Sequence, residues 1–212
     1  MTGRIITIAQ QKGGSGKTTL AVNLAVAFLR AGRSVAVLDT DPQGSLGRWF
    51  MTRAEHMDGA PGLEFSTASA WGVDWECRKL SENHDLVIVD TPPKADSDLR
   101  PALRASDLVL VPVASSHVDL WATEGVLDLA RREGRPVRVV LNRTRSGTRL
   151  GLEVAEKAAE LDAELARTVL ANRVVYAETL GNGRGVQEAA RKGPAAQEIA
   201  ALAEEIAAVL ED

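Results

Sequence analysis

The stretch "QQKGGSGKTTLAVNLA", residues 10–25, constrains the fold of this chain more than any other feature. It joins a β-branched run, "RIITIAQ" (4–10), to a segment whose apolar residues recur at helical spacing and end at Gly32. A buried strand, a glycine-rich turn and a helix in this order are typical of a phosphate-binding loop, because the N–H groups of the turn and the positive end of the helix both attract an anion. The stretch therefore predicts an α/β fold that binds a phosphate-bearing ligand.

The loop matches the general pattern G-x-x-x-x-G-K-[ST] at every fixed position but one. Gly16, Lys17 and Thr18 fit, whereas Gln11 stands where the first glycine is expected. Small residues let the backbone curl around phosphates, Lys17 can reach the β- and γ-phosphates, and the Thr18 hydroxyl is placed to ligate Mg²⁺. The predicted nucleotide-binding residues of the loop and the first helical turn are Gly13, Gly14, Ser15, Gly16, Lys17, Thr18 and Thr19.

A second lysine, Lys12, opens the loop and needs a role of its own. It cannot easily turn inward onto phosphates that Lys17 already holds. If it projects outward, it can reach a nucleotide bound by a second copy of the protein and neutralise transition-state charge there, as an arginine finger does. The alternative is a solvated surface lysine.

Four further apolar runs alternate with segments that are mostly helical. Each run is almost continuously hydrophobic, as expected for a strand that helices cover on both faces: "SVAVLDTD" (34–41), "HDLVIVDTPP" (84–93), "DLVLVPV" (107–113) and "PVRVVLN" (136–142). This alternation predicts an α/β fold with a single doubly wound, mostly parallel sheet flanked by helices.

The remaining segments carry weaker signals. Residues 55–80 are less regular, and from residue 149 on the chain is mostly helical, with "ELARTVL" (164–170) as a late strand. No linker is long enough to separate domains, so we expect a single phosphate-loop domain over residues 1–212.

Three aspartates are placed to act together with the loop. Asp39 and Asp41 lie two residues apart at the end of a strand, so they project to the same side, and Asp90 ends a strand that should neighbour the first. Ligands of α/β sheets bind at the carboxyl ends of the strands. Because Mg²⁺ takes few protein ligands and several waters, we expect Thr18 to bind it directly and Asp90 or Asp39 to bind it through water. For any one aspartate, capping of the following helix is the alternative.

The positive charge of the chain is concentrated in one segment. The formal net charge is -4, but residues 131–149 hold seven arginines against a single acid, Glu133. Binding to nucleic acid must therefore come from a local patch. The predicted DNA-binding residues lie in "NRTRSGTRL" (142–150), where a solvated basic face is the alternative to phosphate contacts: Arg143, Arg145 and Arg149.

The segment "KGGSGKTT" (12–19) resembles the deviant Walker A loop of the ParA/MinD family of ATPases, K-G-G-x-G-K-[ST]. The family accepts glutamine before the first lysine, so Gln11 is in pattern, and Ser15 replaces a more usual valine. "VLDTDPQGSLGRWF" and "LVIVDTPP" resemble its second motif and its Walker B strand. "ANRVVYAETLGNGRGVQEA" resembles the short, ParF-like members that serve in plasmid partition or protein-cluster positioning. The resemblance covers nearly the whole chain.

This resemblance implies a role for several residues. Lys12 would be the signature lysine that acts across an ATP-dependent homodimer, and Asp41 would position or polarise the attacking water. Asn142 would hydrogen-bond adenine, with a turn-forming asparagine as the alternative. The implied cofactors are ATP and Mg²⁺. The implied partners are a second copy of the chain, nonspecific DNA, and an adaptor that is ParB-like or linked to a cargo.

Two functions remain open at this point. The first is an ATPase that uses the nucleoid to segregate or position a cargo, either plasmid DNA or a protein cluster. The second is a metabolic phosphate-loop enzyme, an ATP-dependent ligase or kinase similar to dethiobiotin synthetase. The basic stretch favours the first. MinD ends in a basic amphipathic helix that binds membranes, whereas the last turns here are acidic, so we expect a cytoplasmic, nucleoid-associated protein without a membrane partner.

Overall fold

The computed structural model describes residues 2–93, 96–114, 116–145 and 148–211, and in these residues seven parallel strands form one sheet. The strands are β1 (Arg4–Ile8), β2 (Val35–Asp39), β3 (Glu64–Thr67), β4 (Leu86–Asp90), β5 (Leu108–Ala114), β6 (Val137–Asn142) and β7 (Glu164–Leu165). Their order across the sheet is β3-β2-β4-β1-β5-β6-β7. The α/β class and the doubly wound parallel sheet predicted from the sequence are confirmed.

Helices follow most of the strands. They are α1 (Lys17–Arg30), α2 (Ser45–His56), α3 (Gly72–Ser81), α4 (Asp96–Ala105), α5 (His117–Arg132), α6 (Arg149–Ala159), α7 (Val174–Gly181), α8 (Val186–Ala189) and α9 (Pro194–Glu211). Within the described part of the chain, no helix has both the length and the apolar character that crossing a membrane requires.

Alternate residues of the central strands pack against two different helical layers. In β4, Leu86 and Ile88 belong to the core that includes α1, α2, α7, α8 and α9, whereas Val87 and Val89 belong to the core under α3 and α4. Successive side chains of a strand point to opposite faces, so a strand covered on both faces must be hydrophobic throughout. All five residues of β4 are buried, which explains the continuous apolar runs in the sequence.

The central strands bring the predicted acids to one edge of the sheet. β1 lies between β4 and β5, and it pairs with β4 so that Ile8 stands opposite Asp90. On the other side of β4, β2 pairs so that Asp39 also stands opposite Asp90. The loop after β1 therefore opens at the carboxyl edge, where the chain has placed β2 to one side of β1 and β5 to the other.

The sequence prediction was incomplete in one region and gave too long a strand in another. Residues 55–80, read as less regular, contain β3 and α3, because β3 is a short edge strand with little continuous apolar signal. Only Glu164–Leu165 of the predicted strand 164–170 pairs regularly with β6. The rest follows β6 through isolated bonds, from the Ala166 N–H to the Val139 carbonyl and from the Leu170 N–H to the Leu141 carbonyl.

A buried ion pair fixes α2, the helix that follows the aspartate-containing loop after β2. Arg53 of α2 is 1% exposed and makes two hydrogen bonds with the Glu188 carboxylate of α8, at 2.9 and 2.8 Å. Its guanidinium also donates to the carbonyls of Pro61 and Gly183. Burial alone would raise the pKa of Glu188, but the bonds from Arg53 and from the Gly185 N–H outweigh it, and the pKa of Glu188 lies below its ordinary value.

We expect Arg53→Leu to destabilise the fold by about 3–5 kcal/mol, because it leaves the partly buried Glu188 carboxylate without the guanidinium that pairs with it. Urea unfolding at pH 7 measures this loss. The double variant Arg53→Leu/Glu188→Leu removes both charges and should recover at least half of it. A double variant as unstable as Arg53→Leu would contradict this account of the pair.

The same pair predicts a pH dependence. The pKa of Glu188 is lowered on folding, so its carboxylate contributes stability above its unfolded pKa, near the ordinary value of 4.5, and this contribution disappears as the pH falls through the folded pKa. The stability difference between the wild type and Glu188→Gln should therefore be largest near neutral pH and shrink below about pH 4.

Candidate nucleotide-binding site

The phosphate loop connects β1 to α1 at the carboxyl edge of the sheet. Gly14 and Gly16 have φ angles of +80° and +91°, in the left-handed region that glycine adopts without strain. Gly16 directly precedes α1, so the N-terminus of that helix opens onto the loop. Residues 13–19 thus combine a glycine turn with a helix start, the arrangement that binds phosphate through backbone N–H groups.

Lys17 reaches back to the start of the loop. Its side chain is buried, and its Nζ donates to the Gln10 carbonyl at 3.0 Å. Burial lowers the pKa of Lys17, while the negative charges of Asp90 and Asp41 act in the opposite direction. A phosphate group bound at the loop would add negative charge near this ammonium and favour its protonated form.

Thr18 and Asp90 meet where α1 begins and β4 ends. Thr18 Oγ1 donates to Asp90 Oδ2 at 2.6 Å, and Asp90 Oδ1 is buried without a hydrogen-bond partner among the described residues. Burial raises the pKa of Asp90 to about 7; the Thr18 hydroxyl and Lys17 oppose this rise, and the charges of Asp39 and Asp41 add to it. A cation bound here would both pair the free oxygen and favour the ionised carboxylate.

Asp39 is placed differently from Asp90, although the two stand side by side in the sheet. Its Oδ1 accepts a bond from the Asp41 N–H and its Oδ2 accepts one from the Gly47 N–H in the first turn of α2, both at 3.0 Å. Burial raises the pKa of Asp39, and these backbone bonds counteract the rise. Asp39 thus caps α2, which was the alternative for a single aspartate, and it is less available to a metal than Asp90.

Asp41 lies at the rim of the site. Its Oδ1 accepts a bond from the Gln43 N–H at 2.9 Å in the turn before α2. Its negative charge raises the pKa of Lys17 and of Asp90, so it lies within electrostatic reach of both. This position suits a carboxylate that acts on a molecule bound in front of the loop.

The donor set fits Mg²⁺ held together with a nucleotide. No group of three or more His, Cys, Asp or Glu side chains that could hold a metal occurs in residues 2–93, 96–114, 116–145 and 148–211. Mg²⁺ does not need such a group, because it keeps several waters and takes one or two protein ligands plus phosphate oxygens. The Thr18 hydroxyl and the unpaired Asp90 Oδ1 can supply these. Ser15 Oγ in the loop is also buried without a partner in the described chain.

Two side chains at the end of β6 hold the outer side of the loop. Asn142 Nδ2 donates to the Ser15 carbonyl at 2.8 Å, and Arg143 Nη1 donates to the Gly14 carbonyl at 2.8 Å. Arg143 has a φ of +53°, an uncommon value for a residue other than glycine, which directs it toward the loop. Carbonyl oxygens engaged in this way do not face an anion. The structure brings Asn142 to the loop, while its predicted contact with adenine stays a prediction.

Lys12 does not extend into solvent. Its Nζ donates to Asp119 Oδ2 at 2.8 Å and to Ser116 Oγ at 3.2 Å, both at the start of α5 in the same chain. Its side chain is 35% exposed, whereas that of Asp119 is 3% exposed. The outward projection expected from the sequence is thus not the conformation of the isolated chain.

The basic segment 131–149 does not form one surface. β6 runs through its middle, so the arginines before β6 lie at the amino edge of the sheet and those after it lie at the carboxyl edge. Arg131 pairs with Asp162, while Arg149 pairs with Glu153 and is 93% exposed. Arg143 contacts the phosphate loop rather than standing free. All three members of the predicted DNA-binding set are exposed, but Arg143 is engaged with the loop, which leaves Arg145 and Arg149 as the pair that does not contact it.

Sequence reasoning missed the contacts between the loop and α5. Gln10 is 1% exposed, and its Nε2 donates to Thr123 Oγ1 at 3.0 Å. A polar residue directly after an apolar strand gave no sign of this partner, which lies 113 residues away. Ser116 and Asp119 were missed for the same reason, and so was the loop contact of Arg143, which the sequence had assigned to DNA binding.

The fold and this geometry define a phosphate-loop nucleotide-binding protein of the α/β class. The family model described as the CobQ/CobB/MinD/ParA nucleotide binding domain matches residues 6–186. The chain belongs to this family.

Individual relatives agree over almost the full length. The chain is 30% identical over 209 residues to the maintenance of carboxysome distribution protein A of Halothiobacillus neapolitanus, with 95% of each chain covered. It is also 30% identical over 242 residues to the chromosome-partitioning ATPase Soj of Thermus thermophilus, with 99% of this chain and 97% of the relative covered.

Solved structures share the fold at lower identity. The septum site-determining protein MinD of Pyrococcus horikoshii, complexed with Mg-ADP, superposes with a TM-score of 0.79 at 21% identity, covering 96% of both chains. A plasmid partition protein of Borrelia burgdorferi superposes with a TM-score of 0.77 at 18% identity, covering 99% of this chain and 100% of the other.

Two glycines of the loop provide a matched pair for testing the site. A Cβ at Gly16 would lie 2.5 Å from Asn142 Nδ2, whereas a Cβ at Gly14 would meet nothing within 4 Å. Both substitutions strain the backbone, but only Gly16→Ala also displaces Asn142. We expect Gly16→Ala to weaken binding of a fluorescent ADP analogue at least about tenfold more than Gly14→Ala does. A tenfold difference in Kd corresponds to roughly 1.4 kcal/mol of binding free energy. Equal losses in the two variants would contradict the role of the Asn142 contact.

Proposed function

We propose that this protein is a ParA-type ATPase that binds ATP with Mg²⁺, dimerises, binds DNA without sequence preference and hydrolyses ATP to segregate or position a cargo. The relatives named for carboxysome distribution and for chromosome partitioning support this, because each matches almost the entire chain at 30% identity. We extend their cargo classes, a protein assembly or DNA, to this chain as a proposal.

The proposal is supported mainly by the position of Lys12, the lysine that begins the loop in addition to Lys17. The Lys17 ammonium lies inside the loop, where it donates to the Gln10 carbonyl. The Lys12 ammonium instead donates to Asp119 of α5. A cation on the rim of a phosphate site can act on a nucleotide held by another subunit. In the proposed dimer each Lys12 contacts the phosphates in the pocket of its partner, and this supplies charge stabilisation that one subunit alone lacks.

Within one subunit, other residues would bind the phosphates, hold the cation and position the attacking water. The loop N–H groups and Lys17 bind the phosphates, while Thr18 and Asp90 hold the cation. Bound there, Mg²⁺ would neutralise charge on the phosphate oxygens. Asp39 keeps α2 and the turn before it in place. That turn carries Asp41, which would position or polarise the attacking water from the rim.

The proposed DNA contact uses exposed arginines near the end of the sheet that holds the nucleotide. Arg145 and Arg149 are exposed, and contacts to phosphates without base reading need only such flexible cations. A dimer presents two copies of this pair, so ATP-dependent dimerisation would strengthen DNA binding by joining two weak sites. We propose that an adaptor or cargo-linked partner stimulates hydrolysis and that the protein is cytoplasmic and associated with the nucleoid.

A metabolic ligase or kinase is the competing function, since the family name also covers CobQ and CobB. ATP-dependent, salt-sensitive retention on random-sequence DNA separates the two, because a metabolic enzyme has no reason to bind DNA in step with its nucleotide state. Absence of such retention would count against the positioning function.

We expect Lys12→Ala to bind ADP within about threefold of the wild type, because Lys12 does not face the phosphates of its own loop. Its hydrolysis at protein concentrations where the wild type dimerises should fall at least about 100-fold, since the cation is missing from the partner's pocket. Nucleotide titration and a phosphate-release assay measure the two effects. ATP hydrolysis by this variant at the wild-type rate would contradict the cross-dimer role of Lys12.

We expect the double variant Arg145→Glu/Arg149→Glu to lose ATP-dependent retention on random-sequence DNA while basal ATPase activity persists. The matched control is Arg131→Glu/Arg132→Glu, which changes the net charge equally at the amino edge of the sheet. If the arginines after β6 contact phosphates, only the first variant should lose retention and the salt dependence that accompanies it. Equal losses would indicate a general charge effect, and unchanged retention in the first variant would remove the patch assignment.

A further inference from the structure

A cavity of about 460 Å³ lies at the amino edge of the sheet, opposite the phosphate loop. Small-molecule sites typically occupy about 300–1,000 Å³, so this cavity is large enough to hold a ligand. Among the residues that line it, Leu108, Val137 and Glu164 are the first residues of β5, β6 and β7. The cavity therefore opens where these strands begin, and it is separate from the nucleotide-binding site at the strand ends.

Three arginines line this cavity from consecutive parts of the chain. Arg131 belongs to the last turn of α5, Arg135 to the turn that follows, and Arg138 to β6. Gly134 in this turn has a φ of +66°, and the Arg135 N–H returns to a carbonyl of α5 at 2.9 Å, a common helix ending. Pro136 follows and restricts the backbone of the residue before it. The backbone thus holds the three cations in fixed positions around the cavity.

Two of the three arginines are paired with carboxylates on the surface. Arg131 pairs with Asp162 and with Asp128, and Arg138 pairs with Glu164. All three carboxylates are exposed, from 57% for Asp128 to 88% for Asp162. Because exposed ion pairs contribute little free energy, a second anion inside the cavity can compete for both guanidinium groups.

Arg135 is the arginine that these surface pairs leave out. It has no carboxylate partner among the residues that the structure describes, and its Nε is buried without a hydrogen-bond partner there. The dipole of α5 favours a cation at Arg131 in the last turn of the helix, but Arg135 lies beyond the helix end. A buried donor without a partner is uncommon and costs free energy. An anion in the cavity would supply the missing acceptor.

We propose that this cavity binds a small phosphorylated molecule with an apolar or aromatic body. A phosphate group offers three oxygens to guanidinium groups that approach from several sides, whereas a carboxylate offers two. The other part of the wall is apolar and includes Leu108, Leu127 and Val209, so it suits a ligand that is more than a phosphate ion. This site does not depend on the ATPase function proposed above.

The role of Arg135 can be measured by titration calorimetry with phenyl phosphate as the probe. Mg²⁺ and ADP are present throughout, so that the phosphate loop is filled. We expect Arg135→Gln to weaken binding of phenyl phosphate at least about tenfold, because it removes a charge-assisted hydrogen-bond donor. The matched control is Arg132→Gln, which removes an equal charge from an exposed residue of α5 outside the cavity and should bind within about twofold of the wild type.

A second variant tests the competition between the probe and the surface carboxylates. Asp162→Asn frees one guanidinium nitrogen of Arg131, so it should tighten binding of phenyl phosphate several-fold. Glu55→Gln, which removes an equal charge from an exposed residue of α2, should leave the affinity unchanged. Asp162 is exposed and its replacement is conservative, so this test remains valid if thermal unfolding shows that Arg135→Gln does not fold.

Two further probes test the class of ligand. Inorganic phosphate lacks the apolar body, and benzoate replaces the phosphate by a carboxylate. Phenyl phosphate should bind several-fold more tightly than either of them. Benzoate that binds as tightly as phenyl phosphate would overturn the choice of phosphate, and inorganic phosphate that does so would overturn the apolar body.

Three results would overturn the site itself. The first is that phenyl phosphate does not bind the wild type at millimolar concentrations. The second is that Arg135→Gln and Arg132→Gln weaken binding equally, which would indicate a general charge effect, or that Asp162→Asn does not tighten it. The third is that random-sequence duplex DNA displaces phenyl phosphate, which would assign these arginines to a nucleic-acid surface.

Discussion

The structure depends on burying opposite charges at one edge of a parallel sheet. Lys17 and Asp90 both lose water there: burial lowers the pKa of the lysine and raises that of the aspartate to about 7. Their mutual attraction offsets only part of this cost, and Asp90 Oδ1 has no hydrogen-bond partner in the described chain. A site in this condition favours a ligand that supplies a cation and an anion together, which is what a magnesium-bound nucleotide does.

The neighbouring elements are arranged to keep that site shaped without a ligand. Asn142 and Arg143 hold the loop from the end of β6, Thr123 of α5 holds Gln10 at the start of the loop, and the Asp39 carboxylate ties the end of β2 to α2. The loop itself is thus held by two elements that are distant from it in sequence, β6 and α5, so it is fixed by tertiary contacts. The same contacts join the loop to α5, the helix that holds Lys12.

Much of the fold could be predicted because a sheet covered on both faces leaves a strong pattern. The central strands are continuously apolar and the phosphate loop marks the first crossover, so the α/β class and the site edge followed directly. β3 was missed because an edge strand lacks that pattern. The strand predicted over residues 164–170 was too long, because an apolar segment beside β6 need not pair regularly along its whole length. Local hydrophobicity records burial, whereas pairing depends on a neighbour that is distant in sequence.

The sequence by itself determined the chemistry proposed for the site: the loop residues predicted to bind phosphate, the lysine at its start and the acids at the strand ends all follow from local spacing. The tertiary structure alone decided which of these groups meet. The Thr18 hydroxyl bonds to Asp90, Asp39 caps α2, and Lys12 pairs with Asp119. The arginines before β6 and those after it lie at opposite edges of the sheet. Spacing fixes where a side chain leaves the backbone, but strand order and register bring partners more than 70 residues apart into contact.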